Sequence, residues 1–526
     1  MRPSPRSDPS GGVADRFAGG WPWRCPGFWR SPEHPLTRSL PLATSVLWLR
    51  TALRLHDNPV LAAALAEGGP CHAVYVVDEA AFDPLAEGGG ALAFRKTGEH
   101  RARFLLESLA DLRASFRELG GDFAVRRARD VAAEVAAFAK TCGAGVVHVD
   151  DQPGTEERDL FAAVRRVLPE GCRLEVTWEK TVYHPDDLPF AAADAPERFK
   201  DFWAAHPKTA APREEVPPPT RLPTLPRGVD AGEVPTLEAL GFGAAEVERS
   251  RRRAYPGGEN AGLARLHEYG FGTEQLTRYR WTRNRSLGAD YSSKLSAYLC
   301  LGCLSARHVW REVRRYEREV RKNASTYWLI RELIWRDFYQ VLALKYPRRM
   351  FHPAGLRDRG GPWREDEAAF ARWREGRTGL PFLDAHLREL DRTGFMSNRG
   401  RVNASSWLAR DQGVLWTWGA AWFESRLIDY DVASNWLNWS SQATQLRPTN
   451  PLWQGKKYDA DGAYVYSELP ELAGVPAPLV HGWFALSDDD LRGRGIEPPR
   501  GYPRPPEVKD KWQWALTRIV NAGTKA

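Results

Sequence analysis

Asp429, Asp431 and Asn435 fall within one short run, and Trp436 and Trp439 follow directly. Two acids two residues apart and an amide four residues later set fixed charge beside large flat rings. Asn398, Arg399, Arg401 and Trp416 lie upstream in the same stretch. Indole rings buried beside Arg and Asp call for a flat partner with polar edges, such as a ring cofactor. Arg401 and Asp429 can pair, but a buried pair is costly unless its other hydrogen bonds are met. A flavin offers polar edges and gains negative charge on reduction, which a neighbouring arginine would stabilise. Taken singly, each tryptophan reads as core.

Two further stretches could do chemistry. Tyr291, Ser292, Ser293, Lys294, Leu295 and Ser296 precede a helical pattern. Small hydroxyl residues at a helix start offer donors to an anion such as a pyrophosphate, or simply cap the helix. Glu332 and Arg336, four residues apart, lie on the second face of an amphipathic helix read over 327–345, beside Trp328, Trp335 and Tyr339. That spacing makes either an exposed ion pair or one wall of a cavity.

Apolar strands are expected at 45–49, 73–78, 123–125 and 146–149, with helical stretches between them. That alternation predicts an α/β fold with a doubly wound parallel sheet, whose ligands bind beyond the carboxyl ends of the strands. Neither GxGxxG nor GxxxxGK[ST] follows the first strand. Ten prolines between Pro185 and Pro226 mark a connector running over the surface. From 236 the pattern is helical: 237–240, 262–268, 295–301, 307–321, 327–345, 365–374, 381–392, 401–412 and 420–427. The reading divides the chain into an irregular extension (1–44), an α/β domain (45–178), a connector (179–235), a large all-α domain (236–490) and a short tail (491–526).

The chain has 526 residues and a formal net charge of +7, which suits a polyanion partner without showing one. Of 22 tryptophans, sixteen follow residue 280, so the aromatic load belongs to the helical half. Six dispersed cysteines suit a reducing compartment, and the lone Cys300-Leu-Gly-Cys303 reads as two small buried residues rather than a metal or redox pair. No apolar run is long enough for a membrane span. Residues 1–44 lack a signal-peptide core, and Asp8, Asp15 and Glu33 argue against a transit peptide. A cytoplasmic location is expected, with organelle targeting by 1–44 left open.

Five stretches together resemble the photolyase/cryptochrome flavoproteins, and most of all their DASH-type cryptochromes. They are 47–58, Tyr291–Ser296, Glu332–Tyr339, Asn398–Arg401 and Asp429–Trp439. The resemblance implies an antenna domain followed by an FAD-binding catalytic domain holding a folded FAD. It assigns phosphate-side contacts to Tyr279, Ser292, Ser293, Lys294, Leu295 and Ser296. It sets Arg336, Asn398, Arg401, Asp429, Asp431 and Asn435 around the flavin ring. Trp439, Trp416 and Trp373 match its electron-transfer chain, in that order outward. Glu332 and Trp335 match lesion contacts, and Arg399, Arg447, Lys456 and Lys457 could meet DNA phosphates.

The implied activity is blue-light-driven electron transfer that splits cyclobutane pyrimidine dimers in DNA, expected in single strands, with the chain as a monomer. Photolyases as a class act on a lesion taken out of the base stack. The alternative is a blue-light receptor that binds FAD and nucleic acid without efficient repair. Several positions depart from the family pattern. Ser441 replaces a lesion-pocket aromatic, and Leu437 replaces the usual DASH glycine. Gln152 replaces a Glu that holds a 5,10-methenyltetrahydrofolate antenna, and Ala52 replaces the Asp of the opening motif. The folate antenna therefore stays open, and no metal is expected.

Overall fold

The computed structural model describes residues 43–86, 90–207, 210–252 and 255–523. The extension expected over 1–44, apart from its last two residues, lies outside these, as does Cys25.

Five strands, β1 (Ser45–Leu49), β2 (Cys71–Asp78), β3 (Phe123–Ala128), β4 (Val146–Asp150) and β5 (Arg173–Thr177), form one parallel sheet in the order β3-β2-β1-β4-β5. Ser45 lies opposite both Cys71 and Val146, so β1 is central. All five residues of β1 and of β4 are buried, which explains their mostly apolar character, with Ser45, His148 and Asp150 buried among the apolar residues. Helices α1 (Pro59–Ala66), α2 (Glu99–Glu118), α3 (Val131–Cys142) and α4 (Thr155–Val167) complete the crossovers. Asp130 caps α3 by accepting from Ala133 N at 3.0 Å, and Gly143 ends it at φ 61°. Four of these strands are predicted by the sequence; β5 is not. It is an edge strand in which only Leu174 is buried, so it carries no apolar run.

The connector enters the helical half through a buried carboxylate. Asp337 accepts from Val182 N (3.0 and 3.1 Å) and Tyr183 N (3.2 Å), and burial pushes its carboxyl up to about 7. Farther on, Phe199 and Phe202 of a short helix, Phe199–Ala205, are buried against Phe338. The longest helix, Ala324–Lys345, is capped by Asn323. Helices Pro381–Thr393, Asn398–Ser406, Trp416–Arg426 and Val432–Thr444 follow it. The last of these covers residues whose helical pattern the sequence reading does not assign. Among residues 491–523, a helix Gln513–Gly523 packs with Ala477–Val480 and buries Leu516 and Ile519.

The loop after β1 ties the sheet to the helices. Arg54, 1% exposed, donates to the Glu179 carboxylate, to Gly302 O (2.9 Å) and to Asp57 O (2.8 Å). Asp57 accepts from Arg307 Nε (3.0 Å) and Nη2 (2.6 Å). Glu259 accepts the backbone N–H groups of Leu55 (2.7 Å) and His56 (2.9 Å). Gly302 has φ 63°, and a Cβ there would lie 1.9 Å from Thr51 O, so the approach needs glycine. Burial alone would raise the Asp57 carboxyl, but Arg307 and Ser305 outweigh it and hold it below its usual range. The motif at 54–58 is therefore structural. Asp57→Ala leaves Arg307 buried without a partner and should cost about 3–5 kcal/mol in denaturant unfolding, whereas the exposed Asp489→Ala should change stability little.

Candidate functional site

One cavity of about 300 Å³ in the helical half gathers residues from five segments. All twelve residues expected to contact FAD line it: Tyr279, the run 292–296, Arg336, Asn398, Arg401, Asp429, Asp431 and Asn435. Glu332 and Trp439 line it too. Trp335, Trp373, Trp416, Arg399, Arg447, Lys456 and Lys457 are not among its lining residues.

Pairing and capping hold the charged members. Arg401 Nη2 donates to both Asp429 oxygens at 2.9 Å, and its Nε donates to Met396 O at 2.9 Å. Asp431 caps the Val432–Thr444 helix through Ser434 N (2.8 Å) and accepts from Gln340 Nε2 (2.8 Å). Burial opposes ionisation of Asp431, yet Lys180, Arg336 and Ser434 hold its carboxyl below the usual range. Arg336 donates to the carbonyls of Lys180 and Leu299 (the latter 3.2 Å), not to Glu332, which pairs with Arg283. Asn435 donates its amide to Ala420 O at 3.0 Å.

The phosphate-side run is built differently from a simple cap. The helix there is only Ser296–Cys300, and neither Ser292 nor Ser293 caps it. Arg265 donates to the carbonyls of Ser292 (3.2 Å) and Ser293 (3.1 Å) and to Asp290 (2.9 Å), shaping the loop. Lys294 has φ 62°, and its Nζ lies 3.5 Å from the centre of the Tyr291 ring. Burial, only partly offset by Glu389, pushes its ammonium down to about 7. Arg265 carries no sequence signal. Asn438 and Gln442, also in the cavity wall, do: they continue the helical face of Asn435 and Trp439.

The tryptophans pack in another order than expected. Trp373 meets Trp439 edge to face, centroids 5.9 Å apart, and is wholly buried. Trp416, also wholly buried, packs on Trp436 at 6.0 Å. Trp373 is thus the neighbour of Trp439 and not a surface terminus, because Phe423 and Phe370 stack on it and enclose it.

Two further expectations change. Trp335 stacks on Phe199 at 3.8 Å, because the connector helix presents an apolar ring to it. Arg399 and Lys457 lie over the Tyr458 ring at 4.5 and 5.2 Å, but Lys456 donates to Arg518 O at 3.1 Å. Successive helical residues point about 100° apart, which separates the two lysines. Arg447 is exposed.

A second cavity, about 660 Å³, opens at the carboxyl ends of β1, β2 and β4. That position, where the strand order reverses, is the usual crevice of such sheets. Arg50, Lys96, Arg101, Lys180 and Arg348 line it, with Trp436 and Gln152. Gln152 donates to Asp150 and Thr51, and Arg50 Nη1 is buried without a hydrogen-bond partner. Cys300, Tyr430 and Asp431 line both cavities.

Comparison with known proteins agrees with this architecture. The family profile described as DNA photolyase matches residues 45–223, and the FAD binding domain of DNA photolyase matches 328–519. A cryptochrome DASH of Gloeobacter violaceus is 45% identical over 491 residues, covering 91% of this chain and 96% of its own. The chain belongs to the photolyase/cryptochrome family, among the DASH cryptochromes. The crystal structure of a Synechocystis cryptochrome is 37% identical and superposes with a TM-score of 0.82, over 91% of this chain and 99% of that one. A class III photolyase from Agrobacterium tumefaciens superposes at 0.75, with 26% identity, over 94% and 99%.

The cavity of this DASH-family chain fits FAD. It offers paired charge and hydroxyls, and its wall holds two buried polar atoms without protein partners, Tyr291 OH and Trp439 Nε1. No helix among the described residues is long and apolar enough to cross a membrane.

Trp439 sits against bare backbone. A Cβ on Gly419 would lie 2.3 Å from its Cη2 and 2.7 Å from Leu408 Cδ2. In an open helix, alanine would stabilise relative to glycine by about 1 kcal/mol. Here Gly419→Ala should destabilise by about 1–3 kcal/mol through overpacking, and thermal unfolding monitored by tryptophan fluorescence would read the sign.

Proposed function

We propose that this chain is a light-dependent repair enzyme for cyclobutane pyrimidine dimers, acting as a monomer on single-stranded DNA. The carrying observation is the single cavity that collects every residue expected to hold FAD, with Glu332 and Trp439 in its wall.

When bound, FAD would supply light-driven one-electron transfer to the lesion. The chain's own residues would bind it, neutralise charge and relay reducing electrons inward. Residues 292–296 and Tyr279 would hold the phosphates, with Lys294 gaining its proton as the anion arrives. Arg401, oriented by Asp429, would stabilise negative charge on the ring. Asn398, Arg336, Asp431 and Asn435 would complete the ring's surroundings. Trp373 and Trp439, in edge contact, would form the inner relay. Glu332 would face the lesion at the cavity mouth. Arg399 and Lys457 would meet phosphates near Tyr458, and Arg447 would add long-range attraction.

Single strands are the substrate that the wall chemistry favours. Ser441 replaces an aromatic, and Trp335 is stacked on Phe199. The ring missing at 441 gives up about 1–3 kcal/mol of stacking, and that stacking would otherwise offset part of the few kcal/mol needed to extrude a base from a duplex. The same two features favour a second reading, a blue-light receptor that binds FAD and nucleic acid with little turnover. The second cavity would take the antenna. Arg50 Nη1, which has no hydrogen-bond partner among the described residues, would meet a folate's carboxylate there, although Asp78, Glu156, Glu157, Glu424 and Asp431 balance the cations of the wall and Gln152 is already committed to Asp150.

One assay separates the readings. Photoreduced protein is mixed with a dimer-containing thymine oligonucleotide, single- or double-stranded, and thymine absorbance is followed in blue light and in the dark. Light-dependent recovery with the single strand is expected. No recovery from a protein that binds and photoreduces FAD would leave the receptor reading. The phosphate-side assignment has its own check. At pH 8 the apoprotein holds Lys294 mostly neutral, so FAD uptake should consume up to about one proton. Calorimetric titrations in two buffers of different ionisation enthalpy would measure it, and Lys294→Met should abolish it.

A further inference from the structure

We propose that a third recess, about 720 Å³, is a binding site for a compact polyphosphate anion. It shares no lining residue with either cavity above. Six arginines converge on it: Arg249, Arg252, Arg374, Arg388, Arg392 and Arg426. Only three carboxylates join them in the wall, Glu375, Asp391 and Glu468.

Five carboxylates in or behind the wall, Glu99, Glu375, Asp391, Glu468 and Glu471, answer the six guanidinium groups, so the balance stays positive by one. Arg392 pairs with Glu468, and Arg388 with Glu471 at 2.8 Å. Arg249 and Arg426 share one buried carboxylate, Glu99. Asp391 stands 3.6 Å from Arg426. Arg252 and Arg374 form no ion pair among the described residues; Arg374 lies over the rings of Phe370 (5.9 Å) and Trp422 (5.4 Å).

Two buried donors have no partner among the described residues. Trp422, 4% exposed, lines the recess, and its Nε1 makes no hydrogen bond. Arg426 Nε is also unsatisfied. Neither atom reaches the surface of the recess, so a ligand there would meet the guanidinium forks above them.

The shape of the indole's surroundings narrows the ligand class. Arg426 (4.3 Å) and Arg374 (5.4 Å) lie over the Trp422 ring, and Phe94 meets it edge to face at 5.0 Å. The ring is therefore occupied, and the recess offers positive charge on guanidinium forks rather than a stacking platform. A nucleic-acid strand bound without sequence preference uses such platforms. A peptide spaces its carboxylates too widely for six guanidinium forks in one recess. A phosphate chain carries high charge density and accepts from planar forks. Inorganic polyphosphate and the phosphate tail of a nucleotide share that chemistry.

The test is isothermal titration of the FAD-loaded protein with sodium tripolyphosphate, ATP and a ten-nucleotide oligothymidine. Tripolyphosphate should bind at one site, and Arg374→Gln should weaken it about tenfold by removing a charge-assisted hydrogen bond. The exposed Lys140→Gln should leave it unchanged. The FAD absorption spectrum and thermal midpoint check folding. If Arg374→Gln does not fold, the surface variant Arg252→Gln serves the same comparison. Equal affinities for ATP and tripolyphosphate would mean that the anion alone is read; tighter ATP would identify a nucleotide as the source. No tripolyphosphate binding, equal binding in the arginine variants, or an oligothymidine whose binding alone depends on Arg374 would overturn the proposal.

Discussion

Charge buried in a cavity wall persists only when it is paired or hydrogen-bonded, and the Arg401–Asp429 bridge is where this chain meets that constraint. Arg401 belongs to the Asn398–Ser406 helix, while Asp429 sits in the short loop before Val432–Thr444. Their contact sets that loop, and the loop positions Asp431 to cap the next helix. Asn435, Asn438, Trp439 and Gln442 then project from one face of that helix into the cavity. Loss of the bridge would release a whole wall rather than one contact.

The same segment divides two spaces. Tyr430 and Asp431, with Cys300, border both the flavin cavity and the crevice at the sheet's carboxyl ends. The loop after β1 makes this arrangement durable. Its Arg54, Asp57 and Glu259 contacts join sheet to helices through charge that solvent does not screen.

The aromatic content also divides by role. Trp439 lines the flavin cavity and needs the missing Cβ of Gly419 to fit. Trp373 is its ring neighbour, whereas Trp416 packs with Trp436 towards the second cavity. Trp335 is held against the connector by Phe199.

Much of this was legible in the sequence. Apolar runs marked β1 to β4, because strands covered on both faces are mostly apolar. The acids, amide and arginines around 398–435 announced a ring-binding wall, and their pattern assigned the family. β5 was hidden because an edge strand needs little apolar signal. Arg265 was hidden because its partners, the carbonyls of Ser292 and Ser293, leave no trace in residue type. The sequence by itself determined the fold class, which local pattern carries, and the family, which five motifs carry; the expected flavin contacts came with that resemblance. Only the tertiary structure decided which tryptophan touches which, that Trp335 stacks on Phe199, and that six arginines spread from 249 to 426 share one recess. Those facts rest on contacts between distant segments, and packing of that kind has no period in the chain.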